Sequence, residues 1–364
     1  MADKSTDPRL IQQVLQAPET ALPKVNLIYI HDDQLSIVRQ RKGRGFVYKH
    51  DNKIIREKKE LDRFKKLVIP PAWEQVRITP VINGHLQATG RDEKQRKQYR
   101  YHPEWMRIRN QTKFYKMADF GSRLPAIRKQ IEKDLHQKGW PKTKVLALVV
   151  KLMEETHIRI GSRQYARRNK TYGLATLRTK HVHLYRDKLK FEFTGKKGKK
   201  HKVTLRNRKL QRLVSRCEEI PGWQLFQYFD ESGDKHGIDS GLVNEYLHRI
   251  SGTSFTAKDF RTWAASVIFF DTLMEYGLSE DEGDIKKNII QATDTAAQAL
   301  GNTRSVCRTY YIHPLLAAAY SDGSIAKAFN KADRIEKEKA YFTPSEEAVL
   351  SLIKNYRPEI NRET

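Results

Sequence analysis

The chain has 364 residues, with 69 Lys and Arg against 43 Asp and Glu and a formal net charge of +26, a length that corresponds to two or three domains. It carries 14 Phe, 16 Tyr and 5 Trp, enough large side chains to build cores and to argue against wholesale disorder. No apolar stretch approaches the ~20 residues of a membrane span, the N-terminus lacks the apolar centre of a secretory signal, and two cysteines, Cys217 and Cys307, cannot make a disulfide framework or a Cys-rich zinc site.

Residues 1–22 are polar and read as a flexible leader. From Val25 to His102 the text is strand-like. Leu27-Ile28-Tyr29-Ile30, Phe46-Val47-Tyr48 and Val76-Arg77-Ile78 are short apolar runs separated by Asp, Asn, Gly and Pro. A short helix over Glu60 to Val68 is stopped by Pro70-Pro71. The period changes at Pro103. Helices are expected over Phe114–Lys138 and Thr143–Thr156, the second with Leu146, Val149, Val150 and Met153 at helical spacing. A β insert follows at His181–Leu184, Leu189–Thr194 and His201–Leu205. Leu189, Phe191 and Phe193 alternate there with Lys188, Lys190 and Glu192, and Gly195-Lys-Lys-Gly198 makes the turn. Helices are then expected over Ser240–Ile250, Lys258–Glu275, Asp284–Leu300 and Pro344–Tyr356. Gly301 stops the third, and Thr343-Pro344-Ser345-Glu346 is a capping box that starts the fourth.

This gives an α+β protein: a small β-rich N-terminal domain over 23–104 after the 1–22 leader, and a larger, mostly helical domain over 105–364 with a β-hairpin insert. Charge is uneven along it. Residues 151–200 hold 15 Lys and Arg against 4 Asp and Glu, whereas residues 251–300 hold 4 against 8, the pattern of a binding face backed by an opposite outer face. So basic a chain attracts polyanions: nucleic acid, an anionic membrane or acidic proteins. It has no long basic amphipathic helix and no lipidation signal, which favours nucleic acid over the membrane. A reducing compartment, the cytoplasm or its nucleoid, fits the cysteine usage.

No Gly-rich loop ending in Gly-Lys-Ser/Thr is present, so a nucleotide cofactor is not indicated. The acidic run Glu280, Asp281, Glu282 and Asp284 reads as a solvated loop rather than a metal cluster. The segment Thr89 to His102 is basic and aromatic. Arg91 and Lys97 are suited to phosphates, and Gln98, Tyr99 and Tyr101 to a groove or sugars; the alternative is a solvated interdomain loop. By themselves, Arg159 after its helix reads as a surface or helix-end charge, Arg261 as an ion-pair partner of Asp259, and Tyr310 and Tyr311 as core.

Several segments taken together resemble the type IB DNA topoisomerases of bacteria and poxviruses. They are Ile69-Pro-Pro-Ala-Trp73, Gly90-Arg-Asp-x-Lys-x-Arg-Lys-Gln-Tyr99, Ile158-Arg-Ile-Gly161, Thr171-Tyr-Gly-Leu-Ala-Thr-Leu177, Phe193-Thr-Gly-Lys196, Lys258-Asp-Phe-Arg261, and Gly301-Asn-Thr303 through Val306-Cys-Arg-x-x-Tyr-Ile-His-Pro314. Each is weak alone; seven in order are specific, and they cover roughly residues 25–320.

The resemblance implies that Tyr311 is the nucleophile, Arg159 and Arg261 the two catalytic arginines, Lys196 the general acid, and Asn302 a donor to a non-bridging phosphate oxygen. It also implies DNA contacts from Lys197 and Lys258 beside those of Arg91, Lys97, Gln98, Tyr99 and Tyr101. Family members often carry Pro after the Asn-Thr pair, where this chain has Arg304. The expected protein is a monomeric clamp around duplex DNA, hinged near Tyr101 to Arg109. It needs neither metal nor ATP and works through a 3′-phosphotyrosine. Two arginines supply the positive charge a metal brings elsewhere, and the phosphotyrosine conserves bond energy for resealing. A tyrosine recombinase is the nearest enzyme alternative; such enzymes usually carry His where Lys258 stands. A non-catalytic DNA-binding protein is the alternative of another class.

Overall fold

The computed structural model describes residues 9, 11, 13–14, 17–93, 95–335 and 339–358. Two compact units form: Met1–Tyr115 with Arg357–Thr364, and Lys116–Tyr356.

The first unit is built on a six-stranded antiparallel sheet in the order β3-β2-β1-β4-β5-β6. The strands are β1 (Ile37–Lys42), β2 (Gly45–His50), β3 (Lys53–Ile54), β4 (Glu74–Ile78), β5 (Leu86–Arg91) and β6 (Lys97–Tyr101). A helical turn α1 (Pro18–Ala21) precedes them, and α2 (Lys58–Lys66) lies between β3 and β4. Ile37, Val76, Ile78 and Ala88 form one core cluster with Phe64 of α2; full burial of such a side chain contributes about 1.5–3 kcal/mol. The Arg39 guanidinium donates to the carbonyls of Ile69, Pro70 and Trp73 at 3.3, 3.1 and 2.6 Å. That fixes the double-proline segment, whose prolines have no N–H to offer a ladder.

Two expectations are revised here. Leu27–Ile30 is not a strand: Ile28 makes only an isolated parallel bridge to Gly84, after Asn26 in the left-handed region at φ 56°. Leu27 and Ile30 are buried as side chains without a ladder to extend. Within the segment read as a flexible leader, Ile11, Val14, Ala21 and Leu22 pack on Trp105 and Ile108. These are buried apolar side chains among the described residues of that segment.

Helix α3 (Pro103–Leu135) starts eleven residues earlier than expected and includes most of the segment read as a hinge. Proline suits a first helical position because its missing N–H would be unpaired there anyway. Trp105, Ile108 and Thr112 then supply buried positions.

In the second unit, helices α4 (Lys142–Thr156) and α5 (Arg163–Asn169) precede a three-stranded antiparallel sheet of β7 (Val182–Leu184), β8 (Leu189–Thr194) and β9 (Lys200–Leu205). The expected alternation holds: Leu189, Phe191 and Phe193 are buried. Helix α6 (Arg208–Glu218) and the two-stranded β10 (Gln227–Phe229) and β11 (Lys235–Gly237) lead to α7 (Ser240–Ser251), α8 (Ala257–Tyr276), α9 (Glu282–Leu300) and α10 (Arg304–Tyr310). The acidic 280–284 run is a helix start: Asp281 Oδ1 accepts the Asp284 N–H at 2.8 Å, as an N-cap does.

Helices α11 (Pro314–Ser321), α12 (Ala326–Asp333) and α13 (Pro344–Ile353) complete the unit, with Phe329, Ala348, Val349 and Ile353 buried. The expected capping box at Thr343 is present. Helix α13 ends at Ile353, three residues short of the expectation. No helix of the described residues is long and apolar enough to cross a membrane.

Candidate active site

Three polar side chains, Arg159, Arg261 and Asn302, meet where α4, α8 and α9 end or begin. Helix α4 stops at His157, whose left-handed φ of 54° closes the helix, and Arg159 follows two residues on. Helix α9 stops at Gly301, φ 62°, and Asn302 follows directly. The last carbonyls of a helix have no partner within it. Arg261, on the first turns of α8, donates to two such carbonyls, that of His157 and that of Leu300 at 2.8 Å. One guanidinium thereby ties together the helix ends that carry Arg159 and Asn302. Arg159 Nη2 in turn donates to Asn302 Oδ1.

The segment carrying Arg159 is held from its other side. Leu174 N and Ala175 N donate to the carbonyls of Arg159 and Ile160 at 2.9 and 2.8 Å. The approach demands glycine at 173, where a Cβ would stand 2.4 Å from the Arg159 carbonyl oxygen. This accounts for the Tyr-Gly-Leu-Ala-Thr segment in structural terms.

Tyr311 caps the end of α10, its N–H donating to the Cys307 carbonyl at 2.9 Å. Ser266 of α8 donates to the Tyr311 carbonyl at 3.3 Å and accepts the His313 N–H at 3.0 Å. The nucleophile candidate is therefore pinned to the helix that bears Arg261. The Arg261 guanidinium carbon lies 5.5 Å from the Tyr311 ring centroid, which favours Tyr311 over Tyr310. Where family members carry Pro, Arg304 takes the first position of α10 and forms a two-point ion pair with Asp294 at 2.6 and 2.5 Å. Thr303 caps the same turn.

Burial, and next the charge of Arg159, lower Arg261 below an ordinary guanidinium, with Tyr311 opposing. Arg261 is only 4% exposed, and its Nε, like Asn302 Nδ2, is buried without a hydrogen-bond partner. Leaving such donors unsatisfied is costly, and both suit the oxygens of an anion.

Lys196 opens the β8–β9 turn, a short 3-10 segment over Lys196–Gly198 in which Lys197 adopts φ 63°. Lys196 is an exposed residue, yet enough protein surrounds its amine that desolvation is the largest influence on it. Desolvation and the charges of Arg159, Lys197 and Lys258 lower its pKa, against an opposing pull from Tyr311. Lys196, Lys197, Lys258 and Arg159 thus share one electrostatic neighbourhood. His201 belongs to it as well, with its pKa lowered by burial, Arg159, Lys199 and Arg261; nothing local in the sequence singled it out.

In the first unit, β5 and β6 place Arg91 opposite Lys97 and Thr89 opposite Tyr99. Residues two apart on a strand share a face, so Lys97, Tyr99 and Tyr101 line one side and Gln98 the other. Tyr99 is exposed and stacks on Tyr101 at 5.9 Å and 8°. Lys97 sits 5.5 Å over the Tyr99 ring and pairs with Asp32. Arg91 donates to Gln75 Oε1 and the Gln95 carbonyl, each at 3.0 Å. Gln98 donates to Asp92 at 2.9 Å. Lys94, inside the same motif, lies outside the described residues.

The family model described as eukaryotic DNA topoisomerase I, catalytic core, matches residues 95–339, and that of the bacterial DNA topoisomerase IB N-terminal domain matches residues 45–92. DNA topoisomerase 1B of Acanthamoeba polyphaga mimivirus is 32% identical over 284 residues, 76% of this chain and 84% of that protein. DNA topoisomerase 1B of vaccinia virus (strain Copenhagen) is 22% identical over 267 residues, 73% and 80% of the two chains. The chain is a DNA topoisomerase and belongs to the type IB family.

Proposed function

We propose that the protein relaxes supercoiled duplex DNA by cutting and resealing one strand, without ATP or a metal ion. Tyr311 Oη attacks a backbone phosphorus and forms the Tyr–O–P bond. The P–O5′ bond breaks, the phenol proton passes to a solvent water, and Lys196 Nζ protonates the departing 5′-oxygen. The freed strand rotates. Its 5′-hydroxyl then attacks the 3′-phosphotyrosine, returning its proton to Lys196 Nζ, the Tyr311 phenolate leaves and takes a proton from water, and the strand is resealed.

The observation that carries this reading is the meeting of Arg159, Arg261 and Asn302 beside Tyr311, with two unpartnered buried donors among them. Fixed donors aimed at phosphoryl oxygens lower the barrier most when they need not reorganise during the reaction. Guanidinium forks match those oxygens while staying charged. A 5′-alkoxide leaves poorly, and a lysine of lowered pKa is a competent acid for it. Lys197, Lys258 and the Arg91, Lys97, Tyr99, Tyr101 face serve as duplex contacts, with Gln98 beside them in the same strand. The two domains close on DNA as a monomeric clamp, in the cytoplasm at the nucleoid.

Plasmid relaxation in EDTA without ATP tests the reading. Wild type is expected to relax the plasmid, and Tyr311→Phe to bind DNA but form no covalent adduct. Absence of relaxation by wild type, or an adduct in Tyr311→Phe, overturns it. Recombination at a specific site would favour the tyrosine recombinase alternative.

A further inference from the structure

His201 opens the inner half of β9 and pairs across the ladder with Phe193. Its imidazole stacks on the Phe193 ring, centroids 5.0 Å apart and planes within 8°. The ring edges meet two glycines from distant parts of the chain. A Cβ at Gly195 would lie 2.5 Å from His201 Cδ2 and 2.6 Å from Nε2. A Cβ at Gly301 would lie 2.8 Å from Cε1. Gly195 has an ordinary φ of −98°, so its need for glycine is one of space alone. Gly301 needs it for space and for its φ of 62°.

These two glycines directly precede the proposed acid and the proposed anion donor of the site. Gly195 leads into Lys196, on the exposed turn at the end of β8. Gly301 leads into Asn302, at the end of α9. Within the turn, Gly195 N donates to the Lys199 carbonyl at 2.7 Å and Gly198 N to the Gly195 carbonyl at 3.1 Å, and at its base the Thr194 carbonyl accepts the Tyr172 N–H at 2.8 Å. A flat side chain filling the gap between both backbones sets their separation.

We propose that His201 is a positioning residue, resting on the reading given under Proposed function: its ring, wedged between Gly195 and Gly301, holds the Lys196 turn in register with Asn302 and the phosphate they serve. The ring is suited to the place. Burial and the charges that face it, Arg159, Lys199 and Arg261, lower its pKa and so disfavour a further cation in a site already dense in them. A displaced acid weakens leaving-group protonation in particular, and a misplacement of about 1 Å can cost on the order of 10²-fold in rate.

The test is single-turnover cleavage of a duplex with either the natural 5′-oxygen or a 5′-bridging sulfur at the scissile phosphate. Sulfur leaves without a proton. His201→Ala and Gly195→Ala, whose methyl can enter only if the ring moves, are each expected to cleave the oxygen substrate on the order of 10²-fold more slowly. Both should recover most of that loss on the sulfur substrate, as Lys196→Ala is expected to, while non-covalent DNA binding stays at the wild-type level. Adding Gly195→Ala to His201→Ala should slow cleavage no further, because the methyl takes space the ring has left.

Cleavage of the oxygen substrate by folded His201→Ala at the wild-type rate overturns the proposal, as does a deficit that sulfur leaves untouched. If His201→Ala fails to fold, Gly195→Ala decides by the same criteria. Failure of wild type itself to form an adduct instead overturns the underlying reading. Rescue of Lys196→Ala alone leaves that reading standing and rejects the role of His201.

Discussion

The Arg261 guanidinium carbon lies 5.5 Å from the centroid of the Tyr311 ring, while two of its nitrogens hold the His157 and Leu300 carbonyls. One side chain thus both builds the site and faces the tyrosine proposed to attack. An ammonium cannot reproduce that fork. Arg261→Lys is therefore expected to lose on the order of 10²–10³-fold in covalent adduct formation. It should also lose about 1–3 kcal/mol of stability through the abandoned carbonyls. Single-turnover cleavage and denaturant unfolding measure the two effects separately. Full cleavage activity in the variant would remove Arg261 from the reaction.

Lys196 predicts a pH dependence. Its pKa is lowered from 10.5 by desolvation and by Arg159, Lys197 and Lys258. As pH rises, the amine loses its proton before a free lysine would, and an acid without its proton cannot assist departure of the 5′-oxygen. Cleavage of the natural substrate should therefore fall along an alkaline limb lying below the free-lysine value. The limb should vanish with a 5′-bridging sulfur. Lys196→Ala should cost about 10²–10⁴-fold on oxygen and far less on sulfur. A limb that persists with sulfur assigns it to another group.

What the sequence announced was mostly local. The alternation of Leu189, Phe191 and Phe193, the stop at Gly301 and the capping box at Thr343 each depend on neighbours a few residues away, and the structure keeps them. Leu27–Ile30 misled because burial without a sheet partner has the same composition as a strand. The start of α3 was hidden because Pro103 punctuates a helix beginning as readily as a break. The order of the seven segments pointed to the family. No segment, however, states that Arg261 joins two helix ends, that Ser266 pins Tyr311, or that His201 fills the space between Gly195 and Gly301. Apart from His201 and Gly195, which are neighbours across the turn, those relations join residues 39 to 104 positions apart and arise only on folding.

The exposed face of β6 separates charge from stacking. Lys97→Ala should weaken duplex binding and reduce the slope of log affinity against log salt by about 1, the signature of one lost phosphate contact. Tyr99→Ala should weaken binding with the slope unchanged, because a stacked ring releases no counterion. Equilibrium binding across a salt series, with Tyr311→Phe as the common background, reads both. An unchanged slope in Lys97→Ala would take that lysine off the phosphates. Salt should leave resealing of DNA already held covalently far less affected than binding.

The C-terminal helix predicts how acid unfolds the second unit. Glu346 on α13 accepts both Arg128 nitrogens at 2.7 Å, the Trp263 indole N–H at 2.9 Å and the Thr343 N–H at 3.0 Å. Arg128 also binds Glu154 at 2.6 Å. Burial pushes the Glu346 carboxyl up, but the bond and charge of Arg128, aided by Thr343 and Trp263, outweigh it and leave the group below its ordinary 4.5. A carboxylate so depressed contributes stability that is fully present above the unfolded value and is lost as pH falls through the folded one. Glu346→Gln removes the charge and leaves Arg128 buried beside Glu154 alone; losing one partner of a buried pair costs about 3–5 kcal/mol. Wild type should therefore melt well above Glu346→Gln at neutral pH. The gap should close as pH falls below the ordinary glutamate range, because wild type then loses the same charge. Equal melting temperatures at neutral pH would show that α13 is held by its apolar face, Ala348, Val349 and Ile353, and that the ion pair adds nothing to it.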